Sequence, residues 1–121
     1  MVAKTVLVVE DDPCIRIVAE EMFAAAGFEV ESVQRADQAV DIIAHRSEQT
    51  AFLFTDVQTP GPIDGIDLAR LVKTRWPHVE VLDTSGRPVS NTVLPDGVRF
   101  TSKPWSGKDV LKLARAAVAE R

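Results

Sequence analysis

The run Phe52-Leu53-Phe54-Thr55-Asp56, followed at once by Val57-Gln58-Thr59-Pro60-Gly61-Pro62, constrains this chain more than any other stretch. An apolar segment of this kind suits a strand buried on both faces, as in a parallel sheet covered by helices. Pro60, Gly61 and Pro62 can neither continue a strand nor sit comfortably inside a helix, so Asp56 is expected at the strand's carboxyl end. In open parallel α/β sheets that edge is where ligands bind. Taken alone, the stretch is equally consistent with an aspartate that only caps a turn.

The flanking sequence repeats the pattern. Thr5-Val6-Leu7-Val8-Val9 is a β-branched apolar run that predicts a first buried strand, ended by Glu10-Asp11-Asp12. Pro13 then suits the first helical position with Asp12 as N-cap. Ile15, Val18, Ala19, Met22, Phe23 and Ala26 recur at helical spacing, and Gly27 is a natural stop. Phe28 to Val33 predicts a second strand, and Ala36, Ala39, Val40, Ile43 and Ala44 a second helix ending near His45. Beyond the Phe52 strand and its loop, Asp64-Gly65 leads into a helix carrying Leu68, Leu71, Val72 and Trp76, closed by Pro77. Val79 to Thr84 predicts a fourth strand and Val98 to Thr101 a fifth. Between them, Val89 to Leu94 leaves room for one or two helical turns, a short or irregular fourth helix. Ser106 is the expected N-cap of a last, fifth helix lined by Val110, Leu111, Leu113, Ala114, Ala117 and Val118. Strands joined by helix-length connections lie parallel in one sheet, with helices on both faces.

The 121 residues suffice for one domain, expected over residues 1–121 with no linker, repeat or appended effector domain. A formal charge of −4 and the lack of a basic, aromatic-interleaved patch argue against nucleic acid as a partner. Cys14 is the only cysteine, so an internal disulfide and a cysteine-only metal site are excluded, in keeping with a reducing cytoplasm. No apolar run reaches the length of a membrane span, and the first residues lack a signal-peptide layout; a soluble cytoplasmic protein is expected.

Four predicted strand ends carry polar groups: Glu10-Asp11-Asp12, Asp56, Thr84-Ser85 and Ser102-Lys103. In a parallel sheet they share one edge. Carboxylates held together repel unless a cation sits among them. Hard oxygen ligands without paired cysteine or histidine favour Mg²⁺ or Mn²⁺ over zinc. A lysine supplies a point charge for phosphate and a hydroxyl can donate to it. An aspartate beside a metal and a lysine can act as nucleophile and form an aspartyl phosphate.

The segments Val8-Val9-Glu10-Asp11-Asp12-Pro13, Thr55-Asp56-Val57-Gln58-Thr59-Pro60, Ile63-Asp64-Gly65, Thr84-Ser85-Gly86 and Ser102-Lys103-Pro104-Trp105 resemble the receiver (CheY-like) domain of bacterial two-component response regulators. The resemblance spans essentially the whole chain, in order and spacing. It implies a flavodoxin-like doubly wound sheet with strand order 2-1-3-4-5. It also implies a signalling protein of the single-domain type, not an enzyme in its own right. Such a protein would take a phosphoryl group from a histidine kinase or histidine phosphotransferase onto Asp56, with Mg²⁺ or Mn²⁺ required. Asp11 would ligate the metal directly, Glu10 through metal-bound water, and the backbone carbonyl of Gln58 alongside Asp56. Ser85 corresponds to the hydroxyl that turns toward the phosphoryl group. Thr84 is expected to point the other way, although a one-residue slip would exchange the two. Lys103 corresponds to the phosphate-pairing lysine, with a cis bond usual before the following proline, here Pro104. Phe100 falls at the rotating aromatic switch. Output would be a protein–protein contact or onward relay, and a homodimer is compatible with it.

Two departures stand out. Thr59 occupies a position usually held by Met, with a loop one residue longer than the commonest form. The stretch between Gly86 and Phe100, crowded by Pro88 and Pro95, is short for a full fourth helix on the usual output face. A haloacid-dehalogenase-type phosphatase would need a second Asp two residues after the nucleophile, where this chain has Gln58. A degenerate receiver acting as a phosphorylation-independent scaffold is the other alternative. His45 and His78, near predicted helix ends, read as surface or dipole-compensating residues. Cys14, Trp76 and Trp105 read as packing residues, with Trp105 close enough to report on the site.

Overall fold

The computed structural model describes residues 4–90 and 92–119, in which strands alternate with helices. In chain order these are β1 (Thr5–Val9), α1 (Pro13–Ala25), β2 (Glu29–Val33), α2 (Ala36–Arg46), β3 (Thr50–Asp56), α3 (Gly65–Arg75), β4 (Glu80–Ser85), β5 (Arg99–Ser102) and α4 (Gly107–Ala119). The strands form one five-stranded sheet in the order β2-β1-β3-β4-β5, with every pair parallel. This is the flavodoxin-like arrangement expected.

Local chemistry sets the element ends. The Asp12 side chain accepts from the backbone N–H groups of Cys14 and Ile15, and Pro13 opens α1 where its missing N–H costs nothing. Gly27 takes a φ of +95° beyond the end of α1, a backbone region that other residues rarely adopt. Asp64 caps α3 by accepting from Asp67 N, while the Asp67 carboxylate accepts from Asp64 N. The Ser106 hydroxyl accepts from Asp109 N at the start of α4.

The central strands are buried throughout, since helices cover both faces. On one face, Leu7, Val9, Leu53 and Val81 pack with Ile43 of α2 and Leu68 and Val72 of α3. On the other, Val6, Val8, Phe52, Phe54 and Leu82 pack with Phe23 of α1 and Val110, Ala114 and Ala117 of α4. The alternation along each strand decides which side chains emerge together at the carboxyl edge.

The connection from β4 to β5 corrects one expectation. Among the described residues from 86 to 98 there are turns but no helix, so four helices stand where five were expected. The Ser90 hydroxyl accepts from Thr92 N and bonds the Thr92 hydroxyl, local bonds that compete with a helical backbone. Pro95, with no N–H to give, bars continuation.

Candidate phosphoacceptor site

Register brings the strand ends level. Val9 pairs with Thr55, Asp56 with Thr84, and Ser85 with Ser102, so Glu10, Asp56, Thr84 and Lys103 arrive at one edge. Alternation places Asp56 and Glu10 on the α1/α4 side, continuing the faces of Phe54 and Val8.

Lys103 ties the edge together. Its Nζ donates to Asp56 Oδ2 at 2.7 Å and to Glu10 Oε1 at 2.8 Å. Asp56 is only 6% exposed and Glu10 only 4%. Burial, the largest influence, pushes the Glu10 carboxyl above its ordinary range, against the lowering effect of its bond from Lys103. Burial alone would lower the Lys103 pKa, but its hydrogen bonds to Asp56 and Glu10 raise it, so the amine is held as a cation. The other Asp56 oxygen, Oδ1, accepts from the backbone N–H of Gln58 at 2.9 Å. Glu10 Oε2 accepts from Asp12 N at 3.1 Å. Arg16 donates to the Glu10 carbonyl.

Glu10, Asp11 and Asp56 offer carboxylate oxygens that all lie within 4.8 Å of one another, with Asp11 exposed and the other two buried. An oxygen-only donor set open to water on one side fits a hard divalent cation that keeps part of its hydration shell. Among the described residues, Lys103 is the cation that forms ion pairs with the cluster.

The two β4 hydroxyls stand differently. Thr84 borders a cavity of about 10 Å³ with Glu10, Asp56, Phe54 and Trp105, and its Oγ1 is buried without a hydrogen-bond partner. The expectation that Thr84 points away from the acceptor therefore gives way, because strand alternation sets Thr84 on the side of Leu82. Ser85 ends the strand fully buried, and its Oγ accepts from Arg87 N at 3.0 Å. Phe100 is half-buried in β5 opposite Asp83. The Lys103–Pro104 peptide bond is cis.

A family model for the response regulator receiver domain matches residues 6–115. The chain belongs to the response regulator receiver family. The receiver is 36% identical over 80 residues to the response regulator protein FleR of Pseudomonas aeruginosa, covering 66% of this chain and 16% of FleR. It is 25% identical to the C4-dicarboxylate transport transcriptional regulatory protein DctD of Rhizobium meliloti, over 98% of this chain and 26% of DctD. It is 30% identical to the sensor protein TorS of Escherichia coli, over 72% of this chain and 9% of TorS. The chain thus spans about a quarter or less of the length of these relatives. Among solved structures, a receiver domain protein from Clostridium thermocellum superposes with a TM-score of 0.88 at 20% identity, covering 97% and 95% of the two chains. The receiver domain of the hybrid histidine kinase CckA gives a TM-score of 0.79 at 27% identity, covering 94% and 98%.

Within the receiver, two residues escaped the reading of the sequence. A Cβ at Gly65 would overlap the Asp56 carbonyl oxygen, so glycine lets α3 begin directly against the Asp56 backbone. The sequence marked Asp64-Gly65 as a helix start and as part of the receiver-like segment Ile63-Asp64-Gly65, but not the close contact that requires the glycine. Asp83, hidden in an apolar strand, is fully buried with neither carboxylate oxygen partnered. Elsewhere, Trp105 packs edge-on against Phe54 at 5.2 Å, and Trp76 packs beside the α2/α3 cluster. His45 Nδ1 pairs with the Asp41 carbonyl and His78 Nε2 with the Ser47 carbonyl. Cys14 is exposed in an apolar hollow of about 470 Å³ with Ile15, Val18, Lys103, Pro104 and Trp105. No helix among the described residues is long and apolar enough to cross a membrane.

Proposed function

We propose that this chain is a phosphoacceptor whose nucleophile is Asp56, loaded from a phosphohistidine on a histidine kinase or histidine phosphotransferase. The observation that carries the reading is the shared amine of Lys103, held between Asp56 and Glu10 at a strand edge where three carboxylates converge. A purely structural aspartate gains nothing from two further carboxylates beside it. The kinase-linked relatives support the choice of donor, since TorS is a sensor protein and CckA a hybrid histidine kinase.

Glu10, Asp11 and Asp56, with the Gln58 backbone carbonyl, would hold Mg²⁺ or Mn²⁺. Bound there, the ion offsets charge on the phosphoryl oxygens. The protein's own contribution is positional. Each Asp56 oxygen accepts one hydrogen bond, Oδ2 from Lys103 and Oδ1 from Gln58 N, which fixes the carboxylate plane and leaves a lone pair on each oxygen for attack. As the new Asp56 O–P bond forms, the P–N bond to the donor imidazole breaks and its electron pair leaves with the ring nitrogen. Lys103 then turns its charge from the carboxylate to the phosphoryl group. Thr84 and Ser85 are the hydroxyls that would meet such a group, Thr84 through the cavity it shares with Asp56 and Ser85 from the end of β4, on giving up its bond from Arg87 N. Gln58 lacks a transferable proton at neutral pH, which favours an accepted over a rapidly hydrolysed phosphoryl group. Signalling would follow by protein contact or relay in the cytoplasm.

The test is incubation with a small acyl phosphate or phosphoramidate and Mg²⁺, read by intact mass. One base-labile phosphoryl group, absent in Asp56→Asn, is expected. No adduct would indicate a scaffold, and steady phosphate release from many phosphate esters would indicate a phosphatase.

A further inference from the structure

Asp83 has no role at the acceptor edge, and its surroundings are unusual for a carboxyl. It is 0% exposed, and neither side-chain oxygen has a hydrogen-bond partner. A buried ionised carboxylate in that state is very costly, so the closed structure requires the neutral acid.

Alternation sets Asp83 on the side of Val81, against the α2/α3 cluster, and away from Asp56. No charge on the neighbouring elements relieves it. At the start of α3 it meets Asp64, and across the sheet in β3 it senses Asp56, both of which oppose ionisation after burial itself. Asp67 of α3 is exposed and bonded to Asp64 N. Lys73 of α3 spends its amine on the Pro77 and Val79 carbonyls. Arg87 and Asp96 in the connection and Arg99 of β5 are exposed, and none of the three forms an ion pair with Asp83. Together these push the Asp83 pKa up to about 8.

The β4–β5 connection reaches the same face. The chain must return from the carboxyl end of β4 to the start of β5, and its last residues do so on the α3 side. There Val98 packs against the α2/α3 cluster and Gly97 lies near Lys73. Within its described parts, 86–90 and 92–98, the hydrogen bonds are local: Val93 N to Ser90 O, Val98 N to Pro95 O, and Thr92 N to Ser90 Oγ. The one bond back to the sheet is Arg87 N to Ser85 Oγ.

We propose that Asp83 is a proton-controlled latch: protonated, it lets the β4–β5 connection close over it, and on losing its proton to solvent it forces that connection open so that water can reach the carboxylate. The O–H bond breaks heterolytically, the proton passes to water, and the charge stays on Asp83. The latch works whether or not Asp56 accepts a phosphoryl group.

Linkage fixes the pH profile. The open form ionises near the ordinary value of 3.8, the closed form only near 8. One proton separates the two states between those values, so the opening constant rises about tenfold per pH unit and levels off above the upper one. The change therefore spans neutral pH.

The experiment is amide hydrogen exchange of the full chain from pH 5.5 to 8.5, corrected for intrinsic exchange. Reporters are the amides of Arg87, Val93 and Val98, with Leu7 and Leu53 as core references. The carboxyl carbon of Asp83 is followed in parallel by NMR. The latch predicts about tenfold weaker protection per pH unit at the reporters, with protection there well below that of the core references at every pH, and flat reporter profiles in both Asp83→Asn and Asp83→Leu. Reporter profiles already flat in the wild type, persisting slopes in the folded variants, or reporters as strongly protected as the core would each overturn it. So would an Asp83 carboxyl that titrates near the ordinary aspartate value.

Discussion

Lys103 Nζ and Asp56 Oδ2 stand 2.7 Å apart, joining two residues 47 positions distant in the chain. Because Glu10 Oε1 shares the same amine, one cation serves two buried carboxylates. That economy makes the site sensitive to any change at position 103.

Lys103→Met should therefore leave Glu10 and Asp56 facing each other without a counter-charge. An unsatisfied buried group costs about 1–3 kcal/mol, more when charged. Urea unfolding at pH 7 should show a loss of at least this order. The folded Lys103 pKa lies above the ordinary 10.5, so the wild type's advantage is complete below that value and disappears as pH rises through the folded one. In Lys103→Met that alkaline loss should be missing. Equal stability of the two proteins at pH 7 would mean that the ion pairs contribute nothing.

Divalent cation should act in the opposite sense. With Mg²⁺ at about ten times its dissociation constant, stabilisation of roughly 1.4 kcal/mol is expected, read as a rise in melting temperature. Asp11→Ala removes the exposed carboxylate of the trio and should abolish the rise without lowering stability in the metal-free protein. A melting curve indifferent to Mg²⁺ would remove the cation from the proposed chemistry.

Gly65→Ala tests the contact between α3 and the acceptor backbone. Its new Cβ must displace the Asp56 carbonyl or the first turn of α3. Overpacking of this kind costs about 1–3 kcal/mol. Phosphoryl uptake at Asp56 should fall with it, since the same displacement moves the proposed nucleophile. Normal uptake in a destabilised Gly65→Ala protein would show that α3 yields and the acceptor stays.

Burial of Asp83 makes a separate claim on global stability. Its raised pKa means that the folded chain binds a proton the unfolded chain has lost. Stability should then decline with rising pH between about 4 and 8, by on the order of 1.4 kcal/mol per unit from this group. Asp83→Leu should be more stable than wild type at pH 8, and the two should converge toward pH 4. Denaturant midpoints at the two pH values decide it.

How much of this was legible beforehand follows from what each signal measures. Apolar runs such as Val6–Val9 and Phe52–Phe54 declare buried strands by composition, and the acidic or basic residues ending them mark the shared edge. Sheet order came from resemblance, since no local pattern says which strands adjoin. The connection after β4 looked able to hold a turn or two of helix. It holds none among its described residues, because side-chain bonds at Ser90 and the imide at Pro95 outcompete so short a helix. Asp83 passed unremarked inside the predicted strand Val79–Thr84, since the pattern of an apolar run does not say whether its one carboxyl finds a partner. The β4 hydroxyls were harder to orient: with a strand period of two, a single residue decides which of Thr84 and Ser85 shares the side of Asp56, the slip the sequence reading had left open.

Those hydroxyls give the last prediction. Thr84 Oγ1 is buried, unpartnered and adjacent to the Asp56 cavity, whereas Ser85 Oγ is occupied by Arg87 N. The two can thus serve different ends of one response. Thr84→Val removes a hydroxyl that has no bond to lose and fills nearly the same volume, so stability should hold or rise by under about 1.5 kcal/mol. If Thr84 is the hydroxyl that meets the phosphoryl group, the variant's aspartyl phosphate should be loaded more slowly and lie closer to wild type in conformation. Ser85→Ala instead cuts the tie to the β4–β5 connection. Exchange of the Arg87 amide should quicken even without phosphate, while loading of Asp56 persists. Chemical shifts at Phe100 and Val110, with and without a beryllofluoride adduct, separate the cases. Loss of the adduct-induced shifts in Ser85→Ala but not in Thr84→Val would assign the coupling to Ser85 and leave Thr84 as packing. The reverse pattern would assign it to Thr84. Shifts confined to the loops around Asp56 in the wild type would remove propagated coupling altogether and leave relay of the phosphoryl group as the output.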